Sequence, residues 1–257
     1  MKNQGVIIQS VDRALQIVEL FAGVQEEIGI TELAQMMGLG KSTIYGLVNT
    51  LMKAGYLEQN PENKKYRLGL RLFELGTIVQ SRMDIREIAR PYLEKLSETF
   101  DMTVHMGIYR DWEMVYIDKV DSPKTRIVYS QVGKRAPMYC TGIGKAVLAN
   151  MNPKDIRYIL DSQALEALTP HTLTDKEDIL KELEIIREKG YAVDREEVEI
   201  GLKCVAVPIY DDKRRPVAAV SISGAAAWLD EQKISEAAQK LMQTAGEISK
   251  RLGYHAK

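Results

Sequence analysis

Apolar residues recur at three- and four-residue intervals from Ser10 onward, at Val11, Ala14, Leu15, Val18, Phe21 and Ala22. That spacing predicts a helix with one buried stripe, with Ser10 placed to cap it. A loop from Gly23 to Ile30 follows, and Thr31 is placed to cap a second, short helix running through Met37. Gly38-Leu39-Gly40 breaks that helix, and Ser42 is placed to cap a third. In the third helix Ile44, Leu47, Val48 and Leu51 share an inner face, while Thr43, Tyr45, Gly46, Asn49 and Lys53 face outward. Gly55 to Glu58 and Lys65 to Leu68 then flank Pro61-Glu62-Asn63, as two short strands flank a turn. Helix, helix, glycine turn, helix and hairpin predict a winged helix-turn-helix. A helix can read the major groove only when a second helix fixes its angle, and a hairpin beside it reaches flanking phosphates. The same pattern also fits a small helical domain with a solvated basic hairpin.

Beyond the hairpin, a helical stretch from Gly69 carries Leu72, Leu75 and Val79 on one stripe, with Leu70 and Phe73 beside it. A helix apolar on more than one side packs between domains or subunits. Ser81 to Asp84 predicts a break, and a helix near Ile85 to Phe100 opens the second half. From Thr103 the pattern shifts. Thr103 to Tyr109 and Met114 to Ile117 read as strands around Arg110–Glu113, with Ile127 to Gln131 as a third. Thr141-Gly142-Ile143-Gly144 reads as a turn that opens a helix from Lys145 to Met151. Helices over Pro153–Leu160 and Asp175–Lys189 precede two apolar strands, Leu202–Ile209 and Val217–Ser223, and a closing helix spans Asp230–Leu252. The expected fold class is α+β: a winged helix-turn-helix over residues 1–68, a linker helix over 69–83, and an antiparallel-sheet domain over 84–257.

The 257 residues, 45% hydrophobic and 28% charged, suffice for one large or two modest globular domains. A formal net charge of −1 argues against an overall positive coat for nucleic acid or membrane. The charge is uneven, however. Residues 1–40 hold two basic and five acidic side chains, whereas residues 41–71 hold six basic and two acidic ones. The local excess falls on the third helix and the hairpin, where Lys64, Lys65 and Arg67 would meet phosphates. Two cysteines, Cys140 and Cys204, make neither a disulfide framework nor a CxxC pair. No stretch approaches the ~18 apolar residues of a membrane span, and the first residues lack the apolar core of a secretory signal. A cytoplasmic location without membrane contact is expected.

Strand period sorts the last two strands. Cys204 and Ala206 share one face, as do Ala219, Ser221 and Ser223, opposite a bulky apolar face. Small residues leave room and hydroxyls bring donors, which suits a compact polar ligand; close helix packing is the competing use of such a face. The glycines at Gly142 and Gly144 let backbone N–H groups approach an anion at a helix start. Asp194 adds an acceptor for a ligand hydroxyl, or else serves as a charge on a surface turn. Cys140, just before that helix, is the candidate nucleophile of an enzyme reading. None of the three histidines, at 105, 171 and 255, forms a motif with it, and no metal-ligand spacing occurs. The expectation is therefore no catalytic residue, no metal and no cofactor.

Val11-Asp12-Arg13-Ala14-Leu15, Thr31-Glu32-Leu33-Ala34, Lys41-Ser42-Thr43, Gly55-Tyr56-Leu57 and Tyr66-Arg67-Leu68-Gly69-Leu70-Arg71 resemble the DNA-binding half of IclR-type bacterial regulators. Cys140 through Ala146, Gly190 through Asp194, Gly201 through Ala206 and Ser221 through Gly224 resemble its effector-binding half. The resemblance implies a GAF-like second domain. It also implies a regulator that binds a pseudo-palindromic double-stranded operator under control of a small organic acid, as a homodimer or homotetramer. DNA contacts would fall at Thr31, Lys41, Ser42, Thr43, Tyr45, Gly46 and Asn49, with the wing at Lys64, Lys65 and Arg67; effector contacts would fall at Gly142, Ile143, Asp194, Cys204, Ser221 and Ser223. The family usually has a basic residue where this chain has Gly46, so Tyr45 and Asn49 are the candidates for base readout. The alternative is a ligand-sensing or cysteine-dependent enzyme domain whose winged helix serves only dimerisation.

Overall fold

The computed structural model describes residues 6–21, 27–80, 84–122 and 130–255. Contacts divide the chain into two compact units, Met1–Met83 and Asp84–Lys257. Among the described residues no helix is long and apolar enough to cross a membrane.

In the first unit, helices α1 (Gln9–Leu20), α2 (Ile30–Met37) and α3 (Lys41–Lys53) bury Ile17, Phe21, Leu33, Ile44 and Val48 against one another. Strands β1 (Leu57–Gln59) and β2 (Tyr66–Leu68) form the hairpin and add Leu57 and Tyr66 to that core. Ile28 and Tyr66 exchange both backbone hydrogen bonds at 2.9 Å, which stitches the hairpin to the segment before α2. Gly38 ends α2 at φ 63°, a left-handed turn that glycine makes without strain, and α3 packs back on α2. Helix α4 (Leu70–Gln80) follows the hairpin, with Leu70 and Phe73 exposed.

Two sequence expectations change here. Ile8, Gly29 and Gly40 occupy the N-cap positions, so Ser10, Thr31 and Ser42 lie inside their helices and none caps by its side chain. In α2 the Glu32 carboxylate accepts the Gly29 N–H at 2.6 Å, the half of a capping box that a glycine cap still permits. In α1 the buried residue is Ile17, joined by Phe21 at its C-cap, while Val11 and Leu15 are 53% and 59% exposed. Apolar residues occupy more than one side of α1, and tertiary packing chose a stripe that periodicity alone did not single out. Ala22 lies outside the described residues.

The second unit opens with α5 (Asp84–Phe100), then strands β3 (Thr103–Arg110), β4 (Glu113–Val120) and β5 (Arg135–Ala136). Helices α6 (Gly142–Leu148), α7 (Pro153–Ser162) and α8 (Lys176–Lys189) lead to β6 (Ala192–Arg195), β7 (Leu202–Tyr210), β8 (Pro216–Ala225) and α9 (Glu231–Arg251). The sheet order is β5-β4-β3-β8-β7-β6, antiparallel throughout. One face packs against α5 and α9, and the buried Asp118 on that face accepts from Arg90 of α5 at 2.8 Å. The other face carries α6, and behind it Ile159, Ile179, Leu183 and Ile186 of α7 and α8 complete the core.

One expectation is corrected, one alternative is set aside, and one expected strand lies mostly outside the described residues. Helix α6 begins at Gly142 and not at Lys145, because Thr141 is its cap and accepts the Gly144 N–H at 3.1 Å. Asp194 does not sit on a surface turn: it lies on β6, a strand the pattern did not predict, and is 2% exposed. The expected strand over 127–131 falls mostly outside the described residues; Ser130 and Gln131 are described and are not in a strand, and the two-residue β5 pairs with β4 instead. Among 81–84, only Asp84 is described, at the start of α5.

Helix α6 leaves no room for a side chain at Gly144, where a Cβ would stand 2.5 Å from the Pro137 carbonyl oxygen and 2.7 Å from Met138 Cα. Gly144→Ala should therefore destabilise the second unit by about 1–3 kcal/mol through overpacking. Urea unfolding will read this as a lower midpoint with unchanged slope.

Candidate functional site

The first unit presents a polar surface built on α3. Lys41, Ser42 and Thr43 are exposed in its first turn, Tyr45 is 59% exposed, and Asn49 is half-buried one turn on. Gly46 lies on the same outward side, with nothing within 4 Å of the place a Cβ would take. Its carbonyl accepts the Thr50 hydroxyl at 2.8 Å. Thr31 is exposed in the first turn of α2. On the hairpin, Lys64 sits at φ 61° beside a turn held by Glu27, whose carboxylate accepts from Asn60 at 2.9 Å and from Asn63 at 2.6 Å. Those two amides hold the Glu27 carboxyl below its ordinary pKa. Lys65 pairs with Glu32 at 3.2 Å, and Arg67 with Glu58 at 3.4 Å. Both pairs are exposed, and exchanging an exposed ion pair for a phosphate costs little.

The second unit holds a small polar cavity of about 20 Å³. Register builds it. Asp194 pairs with Cys204 and Cys204 with Ser223, while Ala206 pairs with Ser221 and Ser221 with His105, so these side chains share one face of four adjacent strands. Gly142 and Ile143 of α6 roof that face, and Tyr116, Ser130 and Thr141 complete the polar lining. Gly142 fits because Cys204 and Ala206 are small: a Cβ on it would meet theirs at 3.3 and 3.4 Å. All six effector contacts expected from the sequence therefore line one cavity. The first N–H groups of α6, those of Gly142 and Ile143, have no acceptor among the described residues.

Burial dominates the electrostatics. It pushes the Asp194 carboxyl up to about 7, with the Glu197 charge adding to the shift. The Glu197 N–H, donated to Asp194 Oδ1 at 2.8 Å, and the nearby Lys145 ammonium oppose it. Burial also pushes the Cys140 thiol up to about 12, helped by Asp194 and Glu197, and raises Cys204 further. A thiol held protonated is a poor nucleophile, so the cysteine chemistry weighed from the sequence finds no activation here. Lys145, 1% exposed, turns away from the cavity; its Nζ donates to the Val193 carbonyl at 2.8 Å and pairs with Glu197 and Glu182. Glu197 Oε2 has no hydrogen-bond partner among the described residues.

His105, Tyr116, Ser130 and Thr141 were not foreseen as site residues, and neither were Lys145 and Glu197 behind them. His105 sits between Val104 and Met106 in a buried strand, so only its pairing with Ser221 marks it as facing the cavity. No local spacing carries that signal. The Lys145–Glu197 pair spans 52 positions of sequence, beyond any motif.

Comparison with known proteins follows the same division. Residues 10–61 match the IclR helix-turn-helix domain, and residues 77–250 match the C-terminal domain of bacterial IclR transcriptional regulators. The HTH-type transcriptional regulator XynR of Escherichia coli is 41% identical over 250 residues, covering 97% of this chain and 99% of its own. The crystal structure of the Thermotoga maritima IclR superposes with a TM-score of 0.78 at 36% identity, covering 96% of this chain and 99% of that one. An IclR homologue from Microbacterium hydrocarbonoxydans, complexed with 4-hydroxybenzoate, shares the fold at a TM-score of 0.82 and 22% identity, covering 95% and 98%.

Asp194 supplies a pH signature. An unfolded Asp ionises near 3.8, whereas the folded carboxyl holds its proton to about 7, so this group's contribution to stability falls as pH rises across that window. Asp194→Asn, which keeps an oxygen for the Glu197 N–H, should gain on the order of 2 kcal/mol relative to the parent between about pH 5 and pH 7. Above that window the difference should level off. Urea unfolding across pH checks it, and a difference independent of pH would contradict a protonated Asp194.

Proposed function

The chain belongs to the IclR family of bacterial transcriptional regulators, and on that premise we propose that its first unit holds a pseudo-palindromic operator while a small organic acid in the cavity controls that hold. The observation that carries the effector half is the meeting of unfilled N–H groups at Gly142 and Ile143 with the hydroxyl of Ser221, beside Ser223 on the same wall. A carboxylate takes those donors, and Asp194 faces the rest of the ligand. The cavity acts by binding alone, without turnover. Control requires that the acid bind the operator-competent and operator-incompetent conformations with different affinity; otherwise no population moves.

On the DNA side, Lys41, Ser42, Thr43, Tyr45, Gly46 and Asn49 form the contact face of α3, with Thr31 on the neighbouring helix. Tyr45 and Asn49 read base edges, Gly46 lets the backbone come close, and Lys64, Lys65 and Arg67 hold phosphates. Exposed apolar residues on α1 and α4, Val11, Leu15, Leu70 and Phe73 among them, serve the homodimer of this cytoplasmic protein, and the second units extend it to a tetramer.

Two measurements test the reading. Operator affinity of the parent should fall steeply with salt, and a Lys64→Ala/Lys65→Ala/Arg67→Ala variant should flatten the log–log slope by about 0.9 per lost phosphate contact. An unchanged slope would leave the wing without a role in binding. A thermal-shift screen of small carboxylates should yield at least one stabilising acid that alters operator affinity in a gel shift, with Ser221→Ala weakening it about tenfold. If no acid stabilises the protein, the effector assignment falls.

A further inference from the structure

The far wall of the cavity holds a hydrogen-bonded chain that a carboxylate at Gly142 and Ile143 does not use. Ser223 Oγ donates to Cys204 Sγ at 2.9 Å, so its lone pairs remain to accept from His105 Nδ1 at 3.3 Å. His105 Nε2 is then bare and accepts the Ser130 hydroxyl proton at 2.5 Å. His105 and Ser130 are each 3% exposed, and the Tyr116 ring lies 5.5 Å from the imidazole, tilted against it. Burial pushes the imidazole pKa down to about 3, which keeps the ring neutral at physiological pH. The Ser130 proton is committed to His105, and the Ser130 oxygen presents lone pairs.

Among the described residues no lysine or arginine lines this cavity; Lys119, opposite His105 in the register, pairs with Asp121 at 2.9 Å, and Lys145 is taken by Glu197 and the Val193 carbonyl. Each of these described cations already has a carboxylate partner, so burying a second carboxylate of the ligand there is unfavourable. We propose that His105 and Ser130 are a second recognition centre of the effector site, which reads a hydroxyl on a monoanionic acid and rejects a diacid. His105 acts by fixing the proton of Ser130, and the Ser130 oxygen accepts the ligand hydroxyl. The inference rests on the acid reading of the cavity given above.

Two experiments test it on the full chain. Long-range nitrogen–proton NMR of the imidazoles, with His105 assigned by His105→Phe, should show a neutral Nδ1–H tautomer that does not titrate above about pH 5. An Nε2–H tautomer, or protonation near the ordinary histidine range, would overturn the proposal. Thermal shift and calorimetry should then compare propionate, 3-hydroxypropionate and malonate, and likewise benzoate, 4-hydroxybenzoate and terephthalate. In at least one set the hydroxy acid should bind about tenfold tighter than its parent, and the diacid weakest. His105→Phe and Ser130→Ala should each bring the ratio of hydroxy-acid to parent-acid affinity down toward one. Equal binding of hydroxy acid and parent, a tight diacid, or a preference that survives both substitutions would refute the second centre alone. Absence of binding by all six acids would instead remove the acid reading, and this proposal with it.

Discussion

Helix α6 lies closer to the sheet than ordinary side chains allow. Gly142 rests on the β-carbons of Cys204 and Ala206, and Gly144 fits against the backbone of Pro137 and Met138. Small residues on both sides of one contact set the whole site. They bring backbone donors down to a sheet face made of Ser221, Ser223 and Asp194. Substituting a larger residue on either side would lift the helix or fill the cavity, and the cavity's shape depends on that distance more than on any single polar side chain.

Burying so many polar groups in one place demands internal satisfaction, and the solution differs from group to group. Lys145 takes Glu197 and a carbonyl as partners. Asp194 and His105 are driven toward neutral forms by burial, from opposite directions. The cavity is therefore polar with little fixed charge, and its donors and acceptors are arranged directionally. That suits recognition by hydrogen bonding, where an unpaired buried group penalises the wrong ligand more than a good contact rewards the right one.

The DNA-binding unit uses the opposite physics. Its basic residues lie at the surface, where Lys65 and Arg67 rest on Glu32 and Glu58 in pairs that water and salt already weaken. Such pairs hold the wing in place and can be exchanged for phosphates at small cost. What is fixed in this unit is the framework: the Ile28–Tyr66 bridge, the Glu27 clamp on the turn, and the left-handed Gly38 between α2 and α3.

Local pattern carried the element order of the first unit, the two-faced α3 and the polar faces of β7 and β8, because helix and strand periods write the inward side of each element directly into the sequence. Chain motifs carried the family and six of the residues that line the cavity. Pattern failed where competing local signals were equal, as at the helix caps and the α1 stripe, or where an element was too short to show a period, as in β5 and β6. Asp194 shows the limit most clearly: four residues of strand cannot reveal that a carboxylate is buried. Cross-strand pairing alone decided that His105 faces Ser221, and that Lys145 reaches Glu197 across 52 positions. Those contacts join distant parts of the chain, and their energies depend on burial, which no single segment possesses before the sheet and α6 have closed on each other.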